Sequence, residues 1–482
     1  MSRQTYRFGP LERRGILGPV RAGQAAILGG GALLAILVLD RAPSAAGVAL
    51  ATVIVALAVV LAVAPVGRRT LEEWLPVVTA FAARRAGGRT RFRSAVPLHG
   101  FAGRRRPAAA VPPALRGVEV RAVEYRDRTV GALSERGGRW MTAVLACRVV
   151  AFSLLDPEAQ ERRLARWGVV LSSAAGTAVR RIQWIERTAP AQGDELARWL
   201  HAERDPAVPL RGTPMIESYL ELIGSTARVT QEHEILIAVQ VDTRRAGARA
   251  LVEETERIAQ GLEAAEVKVL GALTAGQLSR ALRTAFDPYA RAELAALETA
   301  HPERDGLSDH NAWPLGAREA WDHYQSDGAV HATYWIGGWP RIDVSPMFMD
   351  ALLGRSSSVR TVAVCFEPIA SDRSTREAEA AVTRDRADRD LRRRFGQTDT
   401  ARQRQAEEAT MRRESELAAG HGEVRLAGFV TVSGRDLDDL RRSCAEVLEH
   451  AARARLELHR LYGQQADAFT FTLPLGRGLA SR

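Results

Sequence analysis

Lysine is almost absent from this chain. Among the 67 basic residues of its 482, Lys268 is the one lysine and the others are arginine. A P-loop needs a lysine in G-x-x-x-x-G-K-[ST] to reach the phosphates. Lys268 sits in Glu266-Val267-Lys268-Val269, a strand context, so a Walker A site is excluded. No G-x-S-x-G nucleophile elbow and no H-E-x-x-H metal motif occurs either. Cysteine is scarce as well. Cys147, Cys365 and Cys444 are odd in number and far apart, which excludes a disulfide framework or a C-x-x-C zinc site and fits a reducing cytoplasm. No catalytic, cofactor-binding or metal-ligating residues are assigned.

What the sequence does have is two long apolar runs near its start. They cover Ala22 to Leu39 and Ala45 to Ala64, with Asp40, Arg41, Pro43 and Ser44 as the polar turn between them. Each is long enough to cross hydrocarbon as a helix. A soluble helix rarely stays apolar on every face for that length. The reading is a transmembrane helical hairpin over 22–64, preceded by a short cap over 1–21. Ala22, Ala26 and Gly30 form a small-xxx-small face suited to close helix packing. A signal peptide is the competing reading of the first run. The second run, following at once, favours an uncleaved hairpin.

Charge orients the hairpin. Up to Ala110 there are 16 arginines and 4 acidic residues, whereas beyond it 51 basic residues face 53 acidic ones. Arg13, Arg14 and Arg21 lie before the hairpin; Arg68, Arg69, Arg84 and Arg85 follow it. By the positive-inside rule both flanks, and so both termini, are cytoplasmic in a multi-pass inner-membrane protein. Anionic lipid headgroups reinforce that placement. Nucleic acid is the competing partner for such a patch.

The remainder reads as α+β. Residues 65–113 hold an amphipathic helix, Thr70 to Arg85, and an Arg/Gly/Pro-rich linker. A first unit over 114–300 has strands at Val118 to Tyr125, Trp140 to Ala151, Val179 to Arg187, Thr230 to Val241 and Val267 to Leu273. Helices lie between, one of them capped by Asp156. A second unit over 301–482 has strands at Ala329 to Val344, Val359 to Phe366, Val424 to Ser433, Leu456 to Leu461 and Ala468 to Leu473. A charged helical hairpin, about 373–419, is inserted into it. Both read as ferredoxin-like, split βαβ units.

His310, Asp322, His323 and His331 are the densest group of metal-capable side chains. Their spacing matches no metal pattern, and the surrounding aromatics favour a structural role. Trp321, Tyr324, Tyr334, Trp335 and Trp339 form the candidate partner-binding surface, since Trp and Tyr carry most interface energy.

At the C-terminal end the sequence meets motifs with a resemblance. Arg412 to His421, the strand RLAGFVTVS, Gln464-Gln465-Ala466-Asp467-Ala468-Phe469 and Leu473-Pro474-Leu475-Gly476-Arg477 resemble the non-ATPase N-terminal region of the conjugation ATPase of type IV secretion systems. The hairpin resembles the small PrgI-like inner-membrane component of the same machines. The combined layout is similar to actinobacterial membrane proteins of conjugation-like secretion loci. The resemblance implies a non-enzymatic inner-membrane scaffold of a type IV-like apparatus. It implies an oligomeric assembly with other inner-membrane subunits, docking a separately encoded hexameric ATPase. The alternative is a membrane core component of a type VII secretion system, EccE-like, which also has two N-terminal membrane helices. A third reading is a membrane-anchored enzyme with an unrecognised site.

Overall fold

The computed structural model describes residues 22–66, 69–94, 110–148, 152–190, 231–291, 306–340, 342–354, 356–394, 401–418 and 422–479. It also describes a few residues between 214 and 221 and at 293–294. The expected helices at Asp194 to Glu203 and, for the most part, Pro214 to Ser225 lie outside these.

Two apolar helices come first, α1 (Ala22–Arg41) and α2 (Ala45–Val63). Ser44 caps α2 by accepting from the Gly47 amide at 3.2 Å. The two pack through small residues: a Cβ on Gly31 would stand 2.4 Å from that of Ala58, and Ala35, Ala51, Ala58 and Ala62 are buried. Gln24 Nε2 donates to Ala62 O at 2.9 Å, giving its amide a partner within the pair. The contact therefore runs along Gly31 and Ala35. Ala26 and Gly30, from the expected small-residue face, point away from α2. Large apolar side chains such as Leu33, Ile36, Val53 and Leu57 are exposed on the outside of the pair. Both helices are long and apolar enough to span hydrocarbon.

A two-residue ladder, β1 (Pro65–Val66) against β2 (Arg69–Thr70), turns the chain into α3 (Leu71–Ala86). Strand β3 (Arg91–Arg93) follows. Its pairing corrects the reading of this segment as plain linker: β3 is hydrogen-bonded to β10 (Gly316–Glu319), with Phe92 opposite Ala317. An edge strand this short carries too little pattern to be read alone.

The other described residues build one mixed α/β body. Its remaining elements, in chain order, are β4 (Glu119–Tyr125), β5 (Arg128–Glu135), β6 (Trp140–Arg148), α4 (Pro157–Ser173), β7 (Val179–Pro190), β8 (Gln231–Asp242), α5 (Arg249–Ala264), β9 (Lys268–Ala272) and α6 (Ala275–Phe286). After β10 come β11 (Tyr324–Ser326), β12 (Ala329–Gly338), α7 (Asp350–Leu353), β13 (Val359–Ile369), α8 (Ser371–Arg394), α9 (Ala401–Ala418), β14 (Glu423–Gly434), α10 (Leu437–Arg453), β15 (Glu457–Arg460) and α11 (Gln465–Phe469).

Among the described residues thirteen strands form a single antiparallel sheet in the order β3-β10-β11-β12-β14-β13-β7-β8-β6-β5-β4, with β15 also on β12 and β9 also on β6. The sheet continues across the sequence division at 300/301 through β7 against β13, where Ile185 faces Ala363. On either side of that seam the order is the same permutation: β9-β6-β8-β7 on one, β15-β12-β14-β13 on the other.

The two faces are covered differently. Val362 of β13 packs with Cys444 and Val447 of α10, while its neighbour Ala363 packs with Leu278, Leu282 and Phe286 of α6. Helices α4 and α5 cover the α10 face over the first half. Asp156 caps α4, accepting from the Ala159 amide at 2.8 Å. The other face carries α6 and the segment 464–479. That segment is held largely by side-chain to backbone bonds. Gln183 donates through Nε2 to Phe471 O and accepts through Oε1 from the Gly476 amide, both at 2.8 Å. Gln240 Nε2 donates to Leu475 O at 2.7 Å. Here the expected strand at Ala468 to Leu473 is corrected to a helical turn, α11 followed by a 3-10 turn. The Phe-Thr-Phe-Thr alternation reflects packing onto a sheet face and not pairing within the sheet.

A carboxylate on α10 fixes the loop before β13. Glu446 accepts from the Ser356, Ser357 and Ser358 hydroxyls and from the Ser357 amide. Burial alone would raise its carboxyl; those hydrogen bonds outweigh it and bring it down to about 2. The folded value lies below the unfolded one, so the contribution is present above about pH 4.5 and disappears as pH falls toward 2. Discounted for solvent screening it is about 1 kcal/mol. Glu446→Gln is therefore expected to lower the denaturant midpoint at pH 7, and the gap from wild type should narrow as pH falls below about 4.5 and close only near pH 2.

Candidate functional site at the anchor junction

The apolar pair is useful only if something joins it to the sheet, and α3 does. It starts with Glu72 and Glu73 in its first turn, and the Thr70 amide donates to Glu73 Oε2 at 3.2 Å. Its buried residues are Val77 and Phe81. Leu75 and Val78, on the other side, are exposed.

The receiving surface lies in the β10–β11 turn and after β15. Trp321 stands at its centre. Its ring is 5.9 Å from that of Trp74, 5.2 Å from that of Phe81 in an edge-on arrangement, and 6.5 Å from a stacked Tyr462. Trp74 also meets Tyr462 at 6.2 Å. Such pairs add to simple area burial. Gly463 must lie flat against Trp321: its φ is +67°, and a Cβ there would meet the indole at 2.5 Å.

Beside the aromatics, Arg84 donates to both Glu319 oxygens at 3.2 Å and to Gly463 O at 2.5 Å. Glu319 also accepts from the Ala466 amide at 3.2 Å. Burial pushes the Glu319 carboxyl above its usual range, against the pull of the Ala466 amide and of Arg84. A buried carboxylate in this state needs its cation, and Arg84 is the partner 235 positions away. Backbone bonds complete the joint: Ser94 N to Leu315 O and Glu319 N to Thr90 O, each 2.8 Å. Hairpin, helix and sheet edge are thus tied by aromatic contacts, an ion pair and a strand ladder.

The expected site residues fall as follows. Arg13, Arg14, Arg21 and Arg68 lie outside the described residues, and of Arg69 only the backbone, in β2, is described. Arg85 is exposed, whereas Arg84 is the ion-pair partner above. Of the five aromatics, Trp321 belongs to the junction. Tyr324 and Tyr334 are each 4 % exposed and belong to the cores of opposite sheet faces. Trp335 is half-buried against His459 at 5.7 Å, and Trp339 is half-buried beside β14. The five therefore do not form one surface. Trp74, Phe81, Arg84, Glu319 and Tyr462 are the junction residues that sequence alone does not assemble. The alternation of Trp74 and Phe81 on one helical face is the signal that points toward them.

The metal-capable group is also resolved. His331 is fully buried; its Nδ1 meets Ser433 Oγ at 2.8 Å and its Nε2 meets Ser326 Oγ at 2.9 Å and Phe286 O at 3.0 Å. Burial lowers it to about 4, so it is neutral at pH 7. His323 pairs with Asp322 at 2.8 Å. Among the described residues no group of three or more His, Cys, Asp or Glu is placed to hold a metal ion. The three cysteines are buried, and desolvation raises Cys147 and Cys365 to about 12.

Residues 236–336 match the sequence model of one family, "Putative type VII ESX secretion system translocon, EccE". The match covers well under half of the chain. It runs from β8 through α6 to β12, and so includes Glu319 and Trp321, two of the residues that receive α3; Tyr462 and Gly463 lie beyond it. No curated protein matches the chain. The family match together with the two apolar helices points to a membrane component of a secretion system.

Proposed function

We propose that this protein is a non-enzymatic scaffold subunit of a type VII-like secretion complex in the inner membrane. In this reading α1 and α2 cross the bilayer as a hairpin. The arginine flanks keep both ends, and the sheet, on the cytoplasmic side. Each half of the sheet is read as a ferredoxin-like unit. ATP hydrolysis takes place in a separately encoded ATPase docked on the complex, in line with the missing P-loop lysine.

The observation that carries the reading is the family match over 236–336, and the matched segment contains Glu319 and Trp321, two residues of the seat of the anchor helix. The supporting physics is the junction. A scaffold that transmits position from membrane to motor needs a stiff joint, and the joint here combines an ion pair, stacked rings and strand pairing. The matched family is a type VII one, and the type IV resemblance of the C-terminal segment draws no support from it.

The test is mild-detergent purification of tagged full-length protein from its native membrane. Co-elution with the other type VII membrane subunits and an FtsK-like ATPase is expected. Elution of folded, membrane-extracted protein free of them would overturn the proposal.

A further inference from the structure

A second concentration of arginine lies far from the junction, at the corner where the β5–β6 turn meets the start of β7. Strand β7 has a bulge there. Val179 pairs with Val241 and Arg181 with Gln240, so Arg180 is one residue more than its partner strand supplies. In a regular strand Arg180 and Arg181 would point to opposite faces. The bulge turns both to the same face. Arg180 Nη1 donates to Gln240 Oε1 at 2.6 Å, and Arg181 Nη1 donates to Gly476 O at 2.9 Å, under the C-terminal segment.

Trp140 and Thr142 are the next residues on that face, opposite Asp242 and Gln240. Two guanidinium groups lie over the one indole, Arg180 at 3.9 Å and Arg136 at 4.1 Å from its centroid; Arg139 is at 5.7 Å. The nearby carboxylates are engaged elsewhere. Asp242 faces Arg139 at 3.6 Å, Glu135 is held by Arg477, and Glu367 is shared by Arg181 and Arg425. Among the described residues neither Arg136 nor Arg180 has a carboxylate partner. Burial, with Arg181 and Arg136 adding to it against the opposing pull of Glu367, lowers Arg180 to about 10. Two uncompensated cations are therefore held against one ring.

Hydrogen-bonding capacity is left over in the same place. Trp140 Nε1, Thr142 Oγ1 and Arg139 Nε are buried without a partner among the described residues, and Thr142 is fully buried. Indole and guanidinium are donors only. A buried donor left unpaired loses its hydrogen bonds to water and gains none in return. What fits such a corner is a compact acceptor with negative charge. Guanidinium forks suit tetrahedral oxyanions. Arg136 is exposed and marks the solvent edge of the corner.

We propose that this corner is a binding site for a phosphoryl group, clamped by Arg136 and Arg180 and received by the Trp140 and Thr142 donors. The phosphoryl can come from a soluble phosphate compound or from an anionic lipid headgroup. The site is independent of the secretion reading and stands or falls separately from it.

The experiment uses full-length protein in non-ionic detergent at constant ionic strength. Its thermal midpoint is followed against inorganic phosphate, pyrophosphate and, below its micelle concentration, dihexanoyl phosphatidylglycerol, with dihexanoyl phosphatidylcholine as control. A saturable rise with at least one phosphoryl probe, absent with matched chloride, is expected. A rise with pyrophosphate assigns a soluble ligand; a rise with the phosphatidylglycerol alone assigns the headgroup. Arg180→Gln and Arg136→Gln should each weaken the apparent Kd about tenfold, the loss of one charge-assisted bond. Thr142→Val keeps shape and charge and should weaken it too, which separates a lost donor from a damaged fold. No saturable rise with any phosphoryl probe, or equal rises in wild type and all three variants, would overturn the site.

Discussion

Trp321→Ala is expected to destabilise the full chain by about 2–3 kcal/mol and to release α3 from the sheet. The indole meets three rings at once, Trp74, Phe81 and Tyr462. Removing a fully buried Trp costs about 3–5 kcal/mol, and this one is half-buried. Release has its own signature. Arg85 and Arg89 are exposed at the end of α3, next to Arg84, and are held in a folded helix and turn. Once α3 comes away, trypsin should cut there at rates that leave wild type intact. Trp321→Phe keeps a ring and should fall between the two. Equal midpoints and equal cleavage in wild type and Trp321→Ala would mean that the rings do not hold the anchor.

Arg187→Ala should cost more, about 3–5 kcal/mol, because it breaks a buried ion pair by removing one partner. The Arg187 side chain is 1 % exposed and lies 3.1 Å from Glu234 Oε2. It also donates to Ala281 O at 3.1 Å and Thr284 Oγ1 at 3.0 Å, fastening β7 to α6 beside the seam between the two halves. Burial lowers its guanidinium, against the pull of Glu234. The double variant Arg187→Met, Glu234→Gln removes both charges and should lose less than the sum of its two single changes. Chemical denaturation followed by circular dichroism reads wild type, Arg187→Ala, Arg187→Met, Glu234→Gln and the double variant. A double variant as damaged as the sum would show that the two residues act independently.

These expectations separate what the sequence carries from what it does not. The two helices α1 and α2 were legible because uninterrupted apolar runs of that length form helices long enough to span hydrocarbon. Strands such as β8 and β13, buried on both sides, were legible as apolar runs, and α4 from its Asp156 cap. The joint between hairpin and sheet was not. Arg84 and Glu319 are separated by 235 positions, and each reads locally as an ordinary surface charge. Strand β3 has three residues and no pattern of its own. The same holds for the arginine corner, where the bulge at Arg180 is a register feature that only pairing with β8 reveals. The aromatic stretch from Trp321 to Trp339 misled for the opposite reason. Dense Trp and Tyr mark burial as well as binding, and Tyr324 and Tyr334 turned out to fill cores on opposite faces of one strand system.

The central claim is that α1 and α2 cross the membrane as a hairpin and leave the sheet in the cytoplasm. It can be read directly, because Cys147, Cys365 and Cys444 are buried in the fold. Two single substitutions report the two sides: Ala42→Cys in the turn between the helices, and Asp438→Cys on the exposed start of α10. Intact cells are treated with a membrane-impermeant maleimide, before and after permeabilisation. Labelling of Ala42→Cys in intact cells, with Asp438→Cys labelled only after permeabilisation, is the predicted result. Labelling of Asp438→Cys in intact cells, or protection of Ala42→Cys until permeabilisation, would contradict it.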